Sequence, residues 1–295
     1  MLTYSQAFYQ LKEQLQALYD ANEAAAICHL FLEYVTGMGK MERLDKKDTQ
    51  LTEQQQQLYD RKTNDLRKGR PIQYVTNSAW FLGKEFYVDE SVLIPRPETE
   101  ELVHWIVTQI PNFQFQIPKI LDIGTGSGCI PISLKLAMPE TEITSCDISN
   151  EALNVAKTNA NKLNATVNFL KLDFLDTARR NNLGMYDVIV SNPPYIPAEE
   201  KERLHSNVKD YEPAIALFVP DNDALVFYKA IALFGKGHLN SNGYIYCELD
   251  AAHAEECKLL FENAGYKKVE IRKDMHGNWR MLKAEFGIGN QELGY

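Results

Sequence analysis

Four consecutive residues, Asn192-Pro193-Pro194-Tyr195, follow an apolar run, Asp187-Val-Ile-Val-Ser191, that reads as a strand. Two prolines in succession hold an extended, rigid turn and leave its carbonyls without local N–H competitors. The side-chain oxygen of Asn192 and the carbonyl of Pro193 can together accept both hydrogens of an NH2 group. Tyr195 can pack on a planar substrate and hold it flat. An amide or exocyclic amino nitrogen is a poor nucleophile because its lone pair is delocalised. Acceptors on both hydrogens raise the electron density on nitrogen and aim it at an electrophile, so positioning can carry most of the rate. No charged base stands in the motif. The plain alternative is a strand-ending turn, for which Pro-Pro is a common signal.

A second motif, Asp122-Ile-Gly-Thr-Gly-Ser-Gly128, follows another apolar strand and opens a helix. Glycines let the backbone turn tightly and approach a ligand where a side chain would clash. In an open parallel sheet, ligands bind beyond the carboxyl ends of the strands, where the strand order switches. The dinucleotide fingerprint spaces its glycines Gly-x-Gly-x-x-Gly, whereas here they fall at 124, 126 and 128. That spacing, with Asp122 leading, is closer to the methyltransferase version. Asp147 ends the second strand, where a carboxylate can accept from both ribose hydroxyls, a position that NAD enzymes also use. After the third strand, Asp173 can take an adenine amino group and Phe174 can cover the ring. Together these point to transfer of a methyl group from S-adenosyl-L-methionine to a planar amide-type nitrogen.

The elements that must position these motifs form an α/β pattern. Lys119–Ile123, Glu142–Cys146, Val167–Lys171, Asp187–Ser191 and Tyr244–Leu249 read as strands. They are separated by helices from near Ser127, over Ser149–Lys162 and over Ala224–Leu233, with one more over Ala251–Ala264. Such alternation means a mostly parallel sheet covered on both faces. Lys268–Arg272 and Arg280–Phe286, joined at His276-Gly277-Asn278, can supply an antiparallel edge. A helix carrying Val103, Ile106, Val107 and Ile110 precedes the sheet and stops at Pro111. The first 78 residues read as a small helical bundle. Phe8, Leu11, Leu15 and Leu18 recur at helical spacing, as do Ile27, Leu30, Phe31 and Tyr34 up to Gly37. A third helix starts at a Thr52/Gln55 capping box, carries Leu58 and Leu66 inward and ends at Gly69. Lys40–Lys47, which mixes both charges, reads as a solvated connection. Residues 79–94, with Trp80, Phe81, Gly83 and Phe86, form a hairpin or connector. The catalytic domain is expected over 95–287, with a tail over 288–295.

Composition sets bounds. A net charge of −9 argues against broad adhesion to nucleic acid, although it leaves room for a local basic patch. The five cysteines are scattered without a Cys-x-x-Cys pair, and the histidines show no metal spacing, so neither a disulfide framework nor a metal site is expected. The N-terminal residues show neither a signal peptide nor a membrane span, and a cytoplasmic protein is the expectation.

The sequence closely resembles the release factor glutamine methyltransferase family (the PrmC, or HemK, type). The resemblance runs through Gly69-Arg-Pro-Ile-Gln-Tyr74, Phe81-Leu-Gly83, Val92-Leu-Ile-Pro-Arg-Pro-Glu-Thr-Glu100, the glycine loop, Asn192–Ile196, Tyr211-Glu-Pro213 and Glu248. It implies a Rossmann-like class I methyltransferase domain with a seven-stranded, mostly parallel sheet behind an N-terminal helical domain that helps grip the substrate. It also implies methylation of the Gln side chain in the Gly-Gly-Gln motif of peptide-chain release factors, with S-adenosyl-L-homocysteine as the product. Gly124, Thr125, Gly126, Ser127, Gly128, Asp147 and Phe174 would contact the cofactor. Asn192, Pro193, Pro194 and Tyr195 would bind the target Gln, with Asn192 beside the transferred methyl. Phe174 stands where relatives often have Trp, which keeps an aromatic cover. The N-terminal domain resembles the family only in outline. Arg96, Glu98 and Glu100 read either as a helix start, with the acids favouring its N-terminus, or as groups that close the active site. Glu248 reads either as a strand-end residue facing the cleft or as a structural one. Two other readings are an adenine-N6 methyltransferase, which should carry a basic groove or target-recognition domain, and an idle module that binds a release factor without transferring methyl. An NAD enzyme is disfavoured by the glycine spacing.

Overall fold

The computed structural model describes residues 1–110 and 117–287. Pro111 and the 288–295 tail lie outside the described residues. The chain divides into two compact units, one of Met1–Ser78 with His205–Tyr211, the other of Ala79–Leu204 with Glu212 onward.

The first unit holds helices α1 (Tyr4–Leu15), α2 (Ala21–Thr36), α3 (Lys40–Asp45), α4 (Glu53–Arg67) and α5 (Ile72–Thr76). Their ends follow local chemistry. Thr3 with Gln6 and Thr52 with Gln55 form reciprocal capping boxes, Asp20 caps α2, and Gly37 ends α2 in the left-handed region. The core is built from Leu11, Leu15, Ile27, Phe31, Leu32 and Leu66, with the buried Tyr59 hydroxyl donating to Ala7 O at 2.8 Å. Three sequence expectations change here. Leu18 lies beyond the end of α1, so helical spacing no longer turns it inward, and it is exposed. On α2 the small residues Ala24 and Cys28 face the core, which rotates Leu30 and Tyr34 outward. The segment expected as a solvated connection contains α3, anchored by the buried Arg43, which donates to the carbonyls of Met38 and His29.

In the second unit a two-stranded hairpin, β1 (Ala79–Phe81) and β2 (Lys84–Phe86), precedes α6 (Pro97–Gln109). Pro97 occupies the first helical position, with Glu98 and Glu100 in the first turn. There follow β3 (Lys119–Ile123), α7 (Cys129–Ala137), β4 (Glu142–Asp147), α8 (Asn150–Lys162), β5 (Asn168–Lys171), α9 (Thr177–Arg180) and β6 (Tyr186–Ser191). Beyond them come β7 (Ile196–Pro197), α10 (Ser206–Lys209, packed with the first unit), α11 (Ala214–Leu217) and β8 (Phe218–Val219). The unit closes with α12 (Val226–His238), β9 (Leu239–Glu248), α13 (Ala254–Asn263), β10 (Lys267–Lys273) and β11 (Trp279–Glu285). The short parallel pair β7–β8 carries no periodicity that a sequence reading could use.

Seven strands form one sheet in the order β10-β11-β9-β6-β3-β4-β5. Only β11 runs against the others. It sits one place in from the margin, so β10 at the edge again runs with the main set. Ile120, Leu121, Val188 and Ile189 are fully buried, as central strands covered on both faces require. The chain winds from β3 out to β5 and returns to the other side of β3 as β6, which makes the β3/β6 boundary the switch point. Among the described residues no helix is long and apolar enough to cross a membrane.

Candidate active site

Strand register brings the motifs together. Cys146 of β4, Ile123 of β3, Ser191 of β6 and Cys247 of β9 lie in one lateral row. The next residue along each strand is, in the same order, Asp147, Gly124, Asn192 and Glu248. Four separate sequence features therefore meet at the carboxyl edge of the sheet, on both sides of the switch point. Ser191 Oγ donates to Ile123 O at 2.8 Å and ties the two central strand ends together. Above them opens a cavity of about 320 Å3, lined by the loop at Gly124–Ser127, by Asp147, Asp173 and Phe174, and by Asn192–Pro194. That volume lies in the usual range for small-molecule sites.

The glycine loop is held by its own hydrogen bonds. Gly124 N and Thr125 N both donate to Cys146 O, Gly126 N donates to Asp147 Oδ2 at 2.9 Å, and Gly128 N donates to Thr125 O. Beneath it, Thr125 and Ser145 hydroxyls donate to Oδ2 of the fully buried Asp122, whose carboxyl burial pushes up to about 7. A loop that cradles phosphate points free N–H groups at its ligand. Here four of those groups are engaged, and the nearby side chains, Asp147 and Asp173, are acidic. The loop therefore suits a neutral or cationic ligand better than a pyrophosphate.

Asp147 also accepts from Ser149 N at 2.9 Å, and burial raises its carboxyl above the usual range against the lowering effect of these N–H groups. Each of its oxygens retains a further lone pair for a ligand hydroxyl. Asp173 accepts from Leu175 N through Oδ1 only. Phe174 reaches the cavity but is 4% exposed, because its ring packs edge-on against Phe234 with centroids 5.2 Å apart.

Gly128 and Tyr195 do not line the cavity. Gly128 is the packing glycine at the start of α7, where the chain passes close to Ala156 of α8. Tyr195 leans on the core beneath the sheet end, and burial together with the Glu248 charge raises its phenol. Asn192 and Pro193 are on the cavity wall, and a Cβ at Gly124 would stand 3.9 Å from Asn192 O. The cofactor-type loop and the proline loop are thus one side chain apart.

A polar chain behind Asn192 escaped the sequence reading as a unit. Asn192 Nδ2 donates to Thr99 Oγ1 at 3.1 Å, and Thr99 Oγ1 donates to Glu248 Oε2 at 2.6 Å. Glu248 is 2% exposed, and burial pushes its carboxyl up to about 7. Arg96 donates to Glu212 at 2.6 Å, while Glu212 also accepts from Ile94 N. Arg96 and Thr99 line the cavity, while Glu100 takes Leu82 N and holds the hairpin. Among the described residues no group of three or more His, Cys, Asp or Glu is arranged to hold a metal.

Comparison with known proteins adds the family. A family model described as the methyltransferase small domain matches residues 104–208, and one described as the PrmC N-terminal domain matches residues 6–76. A release factor glutamine methyltransferase of Flavobacterium psychrophilum is 37% identical over 278 residues, which cover 94% of this chain and 97% of the relative. One of Bacteroides thetaiotaomicron is 39% identical, covering 93% and 97%. Among solved structures, a methyltransferase from Pyrococcus furiosus matches with a TM-score of 0.51 at 20% identity, over 76% of this chain and all of its own, a likeness of fold alone. With relatives of this identity aligned over nearly their whole length, the chain belongs to the release factor glutamine methyltransferase family.

Proposed function

We propose that this protein transfers a methyl group from S-adenosyl-L-methionine to the side-chain amide nitrogen of the Gln in the Gly-Gly-Gln motif of a peptide-chain release factor. The observation that carries the reading is the meeting of Asn192 and Gly124 across the switch point. An acceptor pair for an NH2 group there adjoins a nucleoside-type cavity. Family membership supports the choice of glutamine over adenine.

The residues fit that cofactor. Gly124–Ser127 leave room for it, Asp147 suits the ribose, and Asp173 with Phe174 suits the adenine. Gly128 belongs to this set through the shape it gives the loop. The engaged N–H groups and acidic surroundings favour a sulfonium over a dinucleotide. When bound, S-adenosyl-L-methionine would supply an electrophilic methyl: its S–CH3 bond breaks as the N–CH3 bond forms, leaving the uncharged thioether of S-adenosyl-L-homocysteine, and the methylated nitrogen gives up one proton to solvent. Asn192 Oδ1 and Pro193 O then act as the acceptors that orient the glutamine nitrogen. Pro194 flanks the flat amide, and Tyr195, packed on the core, supports the loop from behind. In the proposed division of labour the helical unit at residues 1–78 grips the factor, 79–94 connects, and 95–287 transfers methyl. The setting is the cytoplasm, with no membrane or nucleic-acid substrate.

The test is transfer from labelled S-adenosyl-L-methionine to a purified release factor, to the same factor with its Gly-Gly-Gln glutamine replaced, and to duplex DNA. Label on the first alone is expected. Label on DNA, or none on the factor, overturns the substrate assignment.

A further inference from the structure

We propose that Thr99 and Glu248 are positioning residues that hold the Asn192 side-chain amide in one orientation, with Oδ1 facing the substrate. The inference rests on the reading of Asn192 as the substrate-amide acceptor, but its physical content is a hydrogen-bond direction that can be measured without any substrate.

The direction follows from donor counting. An ionised carboxylate only accepts, and a threonine hydroxyl has a single proton to give. The 2.6 Å contact between Thr99 Oγ1 and Glu248 Oε2 commits that proton to Glu248. Thr99 can then offer Asn192 nothing except a lone pair, so the amide must turn its NH2 toward Thr99, at 3.1 Å, and its oxygen away. Asn192 with Oδ1 turned inward would set two lone pairs against each other. A flipped Asn192 would also present NH2 to the substrate NH2, donor against donor, and lose one of the two acceptors. The chain is shielded, since Thr99 and Glu248 are each 2% exposed, so water cannot readily substitute for either partner.

Elements from all sides set the charge on Glu248. Arg96 and Glu98 approach from the start of α6, Cys129 from α7, Tyr195 from the loop after β6 and Arg280 from β11. The Tyr228 hydroxyl of α12 holds the backbone carbonyl of Glu248 at 3.0 Å. Burial dominates and raises the carboxyl, so its proton is exchanged near neutral pH. Once protonated, Glu248 can donate to Thr99, the Thr99 proton is released toward Asn192, and the preference for one amide orientation is lost.

Two readouts test this in the full-length protein. In the first, asparagine is labelled with nitrogen-15 and the Asn192 side-chain NH2 signals are assigned by their loss in Asn192→Ala. The expected signals show a protected, hydrogen-bonded proton whose shift follows a titration near pH 7, absent in Glu248→Gln. Thr99→Val should release the protection and Thr99→Ser should restore it. Asn192 signals unchanged in Thr99→Val overturn the proposal. In the second, kcat for methyl transfer should fall about a hundredfold in Thr99→Val, as mispositioned reactants do, with cofactor affinity retained as evidence of folding. Thr99→Ser should recover most of the loss. The wild-type kcat should decline as pH drops below about 7, and that limb should vanish in Glu248→Gln, whose amide can donate or accept. A Glu248→Gln enzyme with the wild-type profile overturns the proposal. A wild-type protein that binds cofactor but leaves the release factor unlabelled overturns the glutamine reading instead, and the amide signals still decide the relay.

Discussion

Gly128 offers a stringent check on how the glycine loop is built. Its φ is +82°, and an added Cβ would stand 2.9 Å from Ile132 Cδ1, 3.1 Å from Ala156 Cβ and 3.2 Å from Ala156 Cα. The Ile132 methyl can turn aside, but the Ala156 atoms belong to the body of α8 and cannot. Holding alanine in the left-handed region costs roughly 1–2 kcal/mol. Prising α7 from α8 adds about 1–3 kcal/mol of overpacking. The narrower unfolded ensemble of alanine offsets less than about 1 kcal/mol of this. Gly128→Ala should therefore destabilise the sheet unit by about 3 kcal/mol, a fall in its melting temperature of roughly 6–12 °C. Gly126 is the control. Its φ is +51°, yet an added Cβ meets nothing within 4 Å, so Gly126→Ala should lose only about 1 kcal/mol. Urea unfolding of the cofactor-free protein, followed by circular dichroism, compares the two. Equal losses, or a Gly128→Ala protein within about 1 kcal/mol of wild type, would refute the packing argument.

Four other outcomes are expected. Asn192→Ala should largely abolish methyl transfer while leaving cofactor binding nearly intact, and near-normal turnover would remove the proposed amide grip. Asp147→Ala should weaken S-adenosyl-L-methionine binding about tenfold or more, by loss of a charged acceptor and of the Gly126 anchor, and unchanged affinity in calorimetry would take Asp147 out of the ribose site. Arg43→Ala strands two carbonyls that Arg43 now serves and should lower the unfolding free energy of the helical unit by about 2 kcal/mol, read by urea titration. Glu248 titrates from 4.5 to about 7 on folding, so the folded protein holds a proton that the unfolded chain has already released in that window. Wild type should accordingly lose stability relative to Glu248→Gln as pH rises across it, and a pH-independent difference would refute the raised carboxyl.

Much of the fold was legible because period and punctuation agree. Lys119–Ile123 appears as read, and Thr52/Gln55, Ser149 and Gly37 mark helix ends through chemistry that is local in sequence. The inward face of α2 was misjudged because period alone does not say which side of a helix that is apolar on more than one side meets the core. The α3 turn was hidden because the tie that holds it, Arg43 to the carbonyl of His29, joins residues 14 apart and has no sequence signature. The three loop glycines look alike in sequence, whereas one serves helix packing and two border the cavity. The candidate residues could be read singly, but their meeting depends on strand register. Thr99 carried no signal of its own, since its partners lie on other elements.

The Thr99–Glu248 hydrogen bond spans 149 residues of chain. Closing so long a loop costs entropy that grows only with the logarithm of its length, so the bond is affordable once the sheet exists and unattainable before. During synthesis the glycine loop and the proline loop emerge well ahead of β9, so the Thr99 hydroxyl gains its Glu248 acceptor only after both loops have been made. The proposed orientation of Asn192 is therefore a late property of the growing polypeptide, acquired only when the strand bearing Glu248 has docked.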